Sequence, residues 1–135
     1  MLDQKTGASW WIRLVVIVGA LLMGTGAILA LTDPAMLVGR ASQMSSAAQV
    51  FAGYFAARNL AMAVLLFVLA IMRAGRALGH VLALVGIIQL FDCALDCLEG
   101  RWAIAPGVLV LGALFLLGAS KLCGSPPWRR RAWSD

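Results

Sequence analysis

The segment QLFDCALDCLEG, residues 89–100, concentrates the side chains of this chain that could do chemistry. It follows the apolar run of residues 81–88 and contains three of the six acids in the whole sequence. A carboxylic acid in apolar surroundings can hold a proton near neutral pH and exchange it with a bound molecule. Asp92 and Asp96 are therefore the candidate catalytic residues.

Helical spacing places four of these polar side chains in one stripe about 80° wide: Gln89, Asp92, Asp96 and Glu99. Such a stripe inside a membrane has to face the interior of a helix bundle or a water-filled cavity. Cys93 and Cys97 are one turn apart and do not form the C-x-x-C of a redox pair, so we interpret them as small apolar residues.

A second polar group lies inside the apolar segment FAGYFAARNLAMA, residues 51–63. Arg58 and Asp92 lie at similar depths, ~12 Å and ~9 Å from the same predicted membrane surface, so we expect an ion pair between neighbouring helices. Tyr54, one turn before Arg58, and the adjacent Asn59 extend the predicted polar site. Together with Gln89 and Glu99 they are the candidate ligand-binding residues. The single histidine of the chain excludes a multi-histidine metal site.

The elements that must position these residues are four apolar segments. The chain has 135 residues, of which 62% are hydrophobic and 13% are charged, which is typical of a membrane protein. Each segment exceeds the ~20 residues that cross a bilayer as a helix: residues 10–31, 50–72, 78–98 and 102–122. We predict an all-α, up-down bundle of four transmembrane helices in a single domain, residues 1–135, ending in a basic interfacial tail, residues 123–135.

The distribution of basic residues predicts the orientation of the bundle. Eight lysines and arginines flank the helices on the side of the two termini, whereas only Arg40 and Arg101 lie on the other side. The positive-inside rule then places both termini in the cytoplasm. Because the positive charges flank apolar runs, the net charge of +5 does not indicate nucleic-acid binding.

The stretch AARNLAMA in the second helix, followed by an aspartate late in the third, resembles a pattern in small bacterial four-helix membrane proteins, the DoxX-like and related families of unknown function. The resemblance covers the whole four-helix span. It implies the four-helix fold, a bacterial cytoplasmic membrane, and importance for the positions of Arg58 and Asp92. It implies no substrate.

Several functions are compatible with a polar site inside an apolar bundle. The first is binding, and in some versions conversion, of a small lipophilic molecule such as a quinone, isoprenoid or sterol-like compound. The second is a non-catalytic accessory or scaffold subunit of a larger membrane complex, with protein partners or further copies of the chain. A proton-coupled exporter ranks lower, because the first helix has no acid after Arg13, and so does a channel, because only one half of the bundle is polar.

Overall fold

The structure is a computed structural model that describes residues 9–38 and 45–133. These residues form four long helices, a short helix and a 3-10 turn, and this part of the chain contains no β-strand. The elements are α1 Trp10–Thr32, α2 Pro34–Val38, α3 Ser46–Ile71, α4 Gly75–Leu98, α5 Ala105–Cys123 and the 3-10 turn Arg130–Ala132. The predicted all-α, four-helix fold is confirmed.

All four long helices are long and apolar enough to cross a membrane. Most of their large apolar side chains point away from the bundle, as they would toward lipid. The chain is therefore a multi-pass membrane protein.

The helix boundaries differ from the sequence prediction where capping and turn residues decide them. Helix α3 begins at Ser46, four residues before the predicted start, because the hydroxyl of Ser45 accepts a hydrogen bond from the backbone N–H of Ala48 at 3.2 Å. Helix α5 begins at Ala105 rather than at residue 102, after a turn that starts with Gly100 in the left-handed region, φ 72°.

The four long helices form two pairs. Helix α1 packs extensively on α3, and α4 packs extensively on α5, whereas the α3–α4 and α1–α5 contacts are much smaller. We call α1 with α3 the first pair and α4 with α5 the second pair. The end of the bundle where α1 starts and α5 stops is the termini end, and the opposite end is the loop end.

Glycines allow the close approach of the two helices in the second pair. A Cβ on Gly86 would lie 2.8 Å from Cγ of Leu116 and 3.1 Å from the carbonyl oxygen of Gly112. A Cβ on Gly112 would lie 3.3 Å from the carbonyl oxygen of Gly86. The two backbones thus face each other directly, as small residues permit in membrane helix packing.

The main core joins all four helices only in the half of the bundle near the termini end. Its fully buried large side chains are Phe115, Leu66, Leu82 and Val85. Toward the loop end the other buried cluster consists of Ala27, Ala30 and Ala56, which belong to the first pair alone. The two pairs are therefore held together near the termini end and share no apolar core cluster of described residues near the loop end.

Candidate functional site

Two carboxamides lie where the shared core stops. On α3, Asn59 continues the buried stripe of Leu66 and Ala63 at helical spacing, and on α4, Gln89 continues the stripe of Leu82 and Val85. At ~1.5 Å per residue, Asn59 is ~18 Å and Gln89 is ~21 Å from the termini end of its helix. Both amides are therefore at similar depth near the middle of the membrane.

Neither carboxamide has a hydrogen-bonding partner among the residues that the structure describes. Asn59 is only 9% exposed and is the one buried polar residue in this part of the chain. Among the described residues the buried side-chain atom without a hydrogen-bonding partner is Oγ of Ser125, so the amide groups of Asn59 and Gln89 are not fully enclosed.

Gln89 lies in an open groove of about 460 Å³ in the loop-end half of the bundle. Its Cβ is close to the backbone of α5, since a Cβ on Gly112 would lie 3.1 Å from it. One α1 residue, the residue before α5 and several α5 residues complete the groove: Leu22, Ile104, Gly107, Val108, Val110, Leu111 and Leu114. Gln89 is the one polar side chain among apolar walls.

Arg58 and Asp92 form the expected contact between α3 and α4, on the other flank of the bundle. Nη2 of Arg58 lies 3.8 Å from Oδ2 of Asp92, which is an ion pair beyond hydrogen-bonding distance. Asp92 is ~6 Å nearer the loop end, and both Cα–Cβ bonds tilt toward the N-terminus of their helix, so the two side chains lean toward each other. The Arg58 guanidinium also lies 5.6 Å from the ring centroid of Phe55.

The Arg58–Asp92 pair is not enclosed by the described residues. The two side chains are 42% and 34% exposed, and they bridge α3 and α4, which contact each other less than the two helices within each pair do. A charged pair at this depth is costly against lipid unless water or a polar group reaches it.

Asp96 pairs with Arg101 in the turn after α4. Nη1 of Arg101 is 3.2 Å from Oδ1 of Asp96, whose side chain is 13% exposed. One turn earlier on α4, the Cys93 thiol donates to the carbonyl oxygen of Ala105 at 3.4 Å. These contacts attach the end of α4 to the start of α5, and they give Asp96, a candidate catalytic residue from the sequence, a structural partner.

Two other candidates from the sequence lie apart from the interior. Tyr54 is 71% exposed on α3. Glu99 is the exposed residue that follows the last turn of α4. The structure therefore brings Arg58 together with Asp92 and places Asn59 and Gln89 inside the bundle, but it does not gather all seven predicted residues around one point.

The sequence did not reveal the docking of the C-terminal tail onto the start of α4. Nε2 of His80 is 2.8 Å from the carbonyl oxygen of Ala132, and the His80 ring stacks on Trp133 with centroids 4.6 Å apart. The Trp133 indole donates to the carbonyl oxygen of Pro127 at 2.7 Å. His80 thus holds the tail against the termini end of the bundle. The sequence feature that could have indicated this contact is the presence of tryptophans in the tail, of which Trp133 stacks on His80.

The described residues contain no group of three His, Cys, Asp or Glu side chains able to hold a metal ion. Comparison with family models, with curated proteins and with solved structures found no match to this chain. The resemblance to DoxX-like proteins therefore stays a prediction from the sequence. What the structure establishes is a multi-pass, four-helix membrane protein.

Proposed function

We propose that this protein binds a small lipophilic molecule between its two helix pairs, in the loop-end half of the bundle. The observation that carries the proposal is the apolar groove of about 460 Å³ with the Gln89 carboxamide as its single polar lining residue. Ligand sites are typically concave, mostly apolar and supplied with a few polar groups that orient the ligand. A bundle packed around a shared core at one end only leaves such a space.

The geometry of the Arg58–Asp92 pair favours an open bundle over a purely structural clamp between helices. An ion pair that served only to clamp two helices would be expected at close range, whereas Arg58 and Asp92 are 3.8 Å apart and partly exposed. In our proposal water reaches Arg58 and Asp92 from the flank opposite the groove, and the bound molecule does not contact them.

The charge distribution supports a membrane orientation for the site. With both termini in the cytoplasm, as the basic residues favour, the groove opens in the leaflet away from the cytoplasm. A lipophilic molecule would then enter sideways from that leaflet.

Filling the groove tests the proposal. Gly107 lines the groove, and a Cβ there would meet no atom within 4 Å, so Gly107→Leu adds bulk beside the groove from an unobstructed position. Gly53 on α3 has the same open surroundings outside the groove, which makes Gly53→Leu a matched control. Native mass spectrometry of protein extracted gently from its own membrane measures the retained small molecules.

We expect the wild type and Gly53→Leu to retain a small lipophilic molecule and Gly107→Leu to lose it. Equal retention by all three proteins would contradict binding in this groove. Retention of protein partners instead, with no small molecule in any of the three, would favour the accessory-subunit function.

A further inference from the structure

We propose that two copies of this chain meet through the outer side of α3 and α4 that carries Arg58 and Asp92, and that the ion pairs of the two copies join there. We call this side of the bundle the charged flank. The groove at Gln89 lies on the other flank, so the inference goes beyond the proposed function and does not depend on a ligand.

The charged flank carries ionisable side chains in the middle of the membrane. Arg58 is ~18 Å from the loop end and ~20 Å from the termini end of α3. Its side chain and that of Asp92 are 42% and 34% exposed, and the exposed Tyr54 and Leu95 follow the same sides of the two helices. Ionisable side chains at this depth face a protein interior or a water-filled cavity. The charged flank therefore has to be covered, because water beside the pair also needs walls against the hydrocarbon.

The surface that covers the pair has to supply both an acid and a base. Nη2 of Arg58 and Oδ2 of Asp92 are 3.8 Å apart, and the guanidinium makes no hydrogen bond to another described residue. A guanidinium has several N–H donors, and a carboxylate accepts through both oxygens. A surface with only one sign of charge would attract one member of the pair and repel the other. The surface that suits the pair is therefore itself an ion pair.

A second copy of the chain supplies that surface by symmetry. Identical chains insert with the same orientation, so a two-fold axis between them runs along the membrane normal. Arg58 of one copy then differs in height from Asp92 of the other by ~6 Å, the same offset that the side chains span within one chain. The arginines and aspartates alternate around the axis, and each guanidinium lies between carboxylates. A different protein would need an acid and a base of its own at both depths.

Small side chains next to Arg58 let two α3 helices approach each other. Ala57 and Ala61 are exposed on α3, directly before and one turn after Arg58. Small residues at a membrane helix surface allow close backbone contact, whereas large exposed side chains elsewhere on α3, such as Phe67, keep a neighbour at a distance. A close contact at Ala61 would place each arginine within reach of the carboxylate of the other copy.

Added bulk at Ala61 tests the contact. Ala61→Trp enlarges a side chain on the charged flank, and Leu21→Trp is the matched control, because Leu21 is exposed on α1 and the two positions lie ~15 Å and ~17 Å from the termini end. Trp128→Cys, at an exposed position of the tail, carries the label in protein whose native cysteines are replaced by alanine. Energy transfer between donor- and acceptor-labelled copies in phosphatidylcholine vesicles, over a dilution series of protein in lipid, measures association.

We expect the labelled parent protein and Leu21→Trp to form dimers and Ala61→Trp to associate more weakly by about tenfold or more. Asp92→Asn should weaken association by a similar factor, because Arg58 of the other copy loses its carboxylate, while circular dichroism shows an unchanged helix content. If Asp92→Asn does not fold, the double variant Arg58→Gln, Asp92→Asn takes its place, since it leaves no charge without a partner.

Three outcomes would overturn the proposal. Energy transfer no greater than that of randomly placed copies, at every dilution of the parent protein, would leave a different protein as the cover of the charged flank. Equal association of Ala61→Trp and Leu21→Trp would place the contact on another face. Dimers that survive the loss of the Asp92 charge would show that the ion pairs do not join. None of these outcomes bears on the retention of a small molecule by Gly107→Leu, so the proposed function is tested separately.

Discussion

The contact between α4 and α5 at Gly86 gives a quantitative prediction for the stability of the bundle. In Gly86→Ala the added methyl group would lie 2.8 Å and 2.9 Å from Cγ and Cδ2 of Leu116. It would also lie 3.1 Å from the carbonyl oxygen of Gly112, which belongs to the helix backbone and cannot rotate away. The two helices therefore have to separate to accept the substitution.

The expected cost follows from comparison with a glycine that has free space. Overpacking a tight site by a methyl group costs about 1–3 kcal/mol. A Gly→Ala change in a helix also brings a gain of about 0.5–1 kcal/mol from backbone propensity. Gly107→Ala on α5 has that gain without the clash, since nothing lies within 4 Å of its Cβ. Gly86→Ala should be less stable than Gly107→Ala by about 1–3 kcal/mol.

Reversible unfolding in mixed lipid–detergent micelles, followed by far-UV circular dichroism, measures both variants under the same conditions. Two variants of equal stability would refute the close approach of α4 and α5 at this point. A loss of stability in Gly107→Ala as large as that in Gly86→Ala would also refute it, because it would show that the position in the helix and not the packing decides.

Three further predictions concern other parts of the molecule. Arg58→Gln and Asp92→Asn should each lower the free energy of unfolding, because each leaves a charge without its partner. The double variant should lose less than the sum of the two single losses by on the order of 1 kcal/mol in the same unfolding assay, a modest coupling because the pair is partly exposed. Purely additive losses would contradict the pairing. His80→Ala should release the tail and speed its cleavage by trypsin in detergent, whereas Trp128→Leu, which alters an exposed indole of the same tail, should not; equal rates would contradict docking through His80. Glu99→Cys, with the native cysteines replaced by alanine, should react with a membrane-impermeant maleimide added to intact cells; labelling only after the cells are opened would reverse the proposed orientation.

Arg58 and Asp92 show how far interior contacts could be predicted from helix lengths alone. Two antiparallel helices joined by a short turn place residues at known heights, and opposite charges at similar heights in a membrane have to approach each other. The same reasoning grouped Gln89, Asp96 and Glu99 with Asp92, because helical spacing places all four on one stripe. A stripe about 80° wide nevertheless touches different neighbours at its two edges: Gln89 packs at Gly112 of α5, and Asp92 faces α3.

The sequence by itself determined the helical class, the number of spanning segments and the presence of polar residues inside them. These follow from the length of the apolar runs and from the need to satisfy every backbone polar group within a membrane. Only the tertiary structure decided that the helices pack as two pairs, that a shared core of Leu66, Leu82 and Phe115 joins them at one end, and that Asn59 and Gln89 lie where it stops. Apolar residues that face lipid and apolar residues that face another helix are equally hydrophobic, so hydropathy does not distinguish them; the close contacts at glycines such as Gly86 select which helix faces meet.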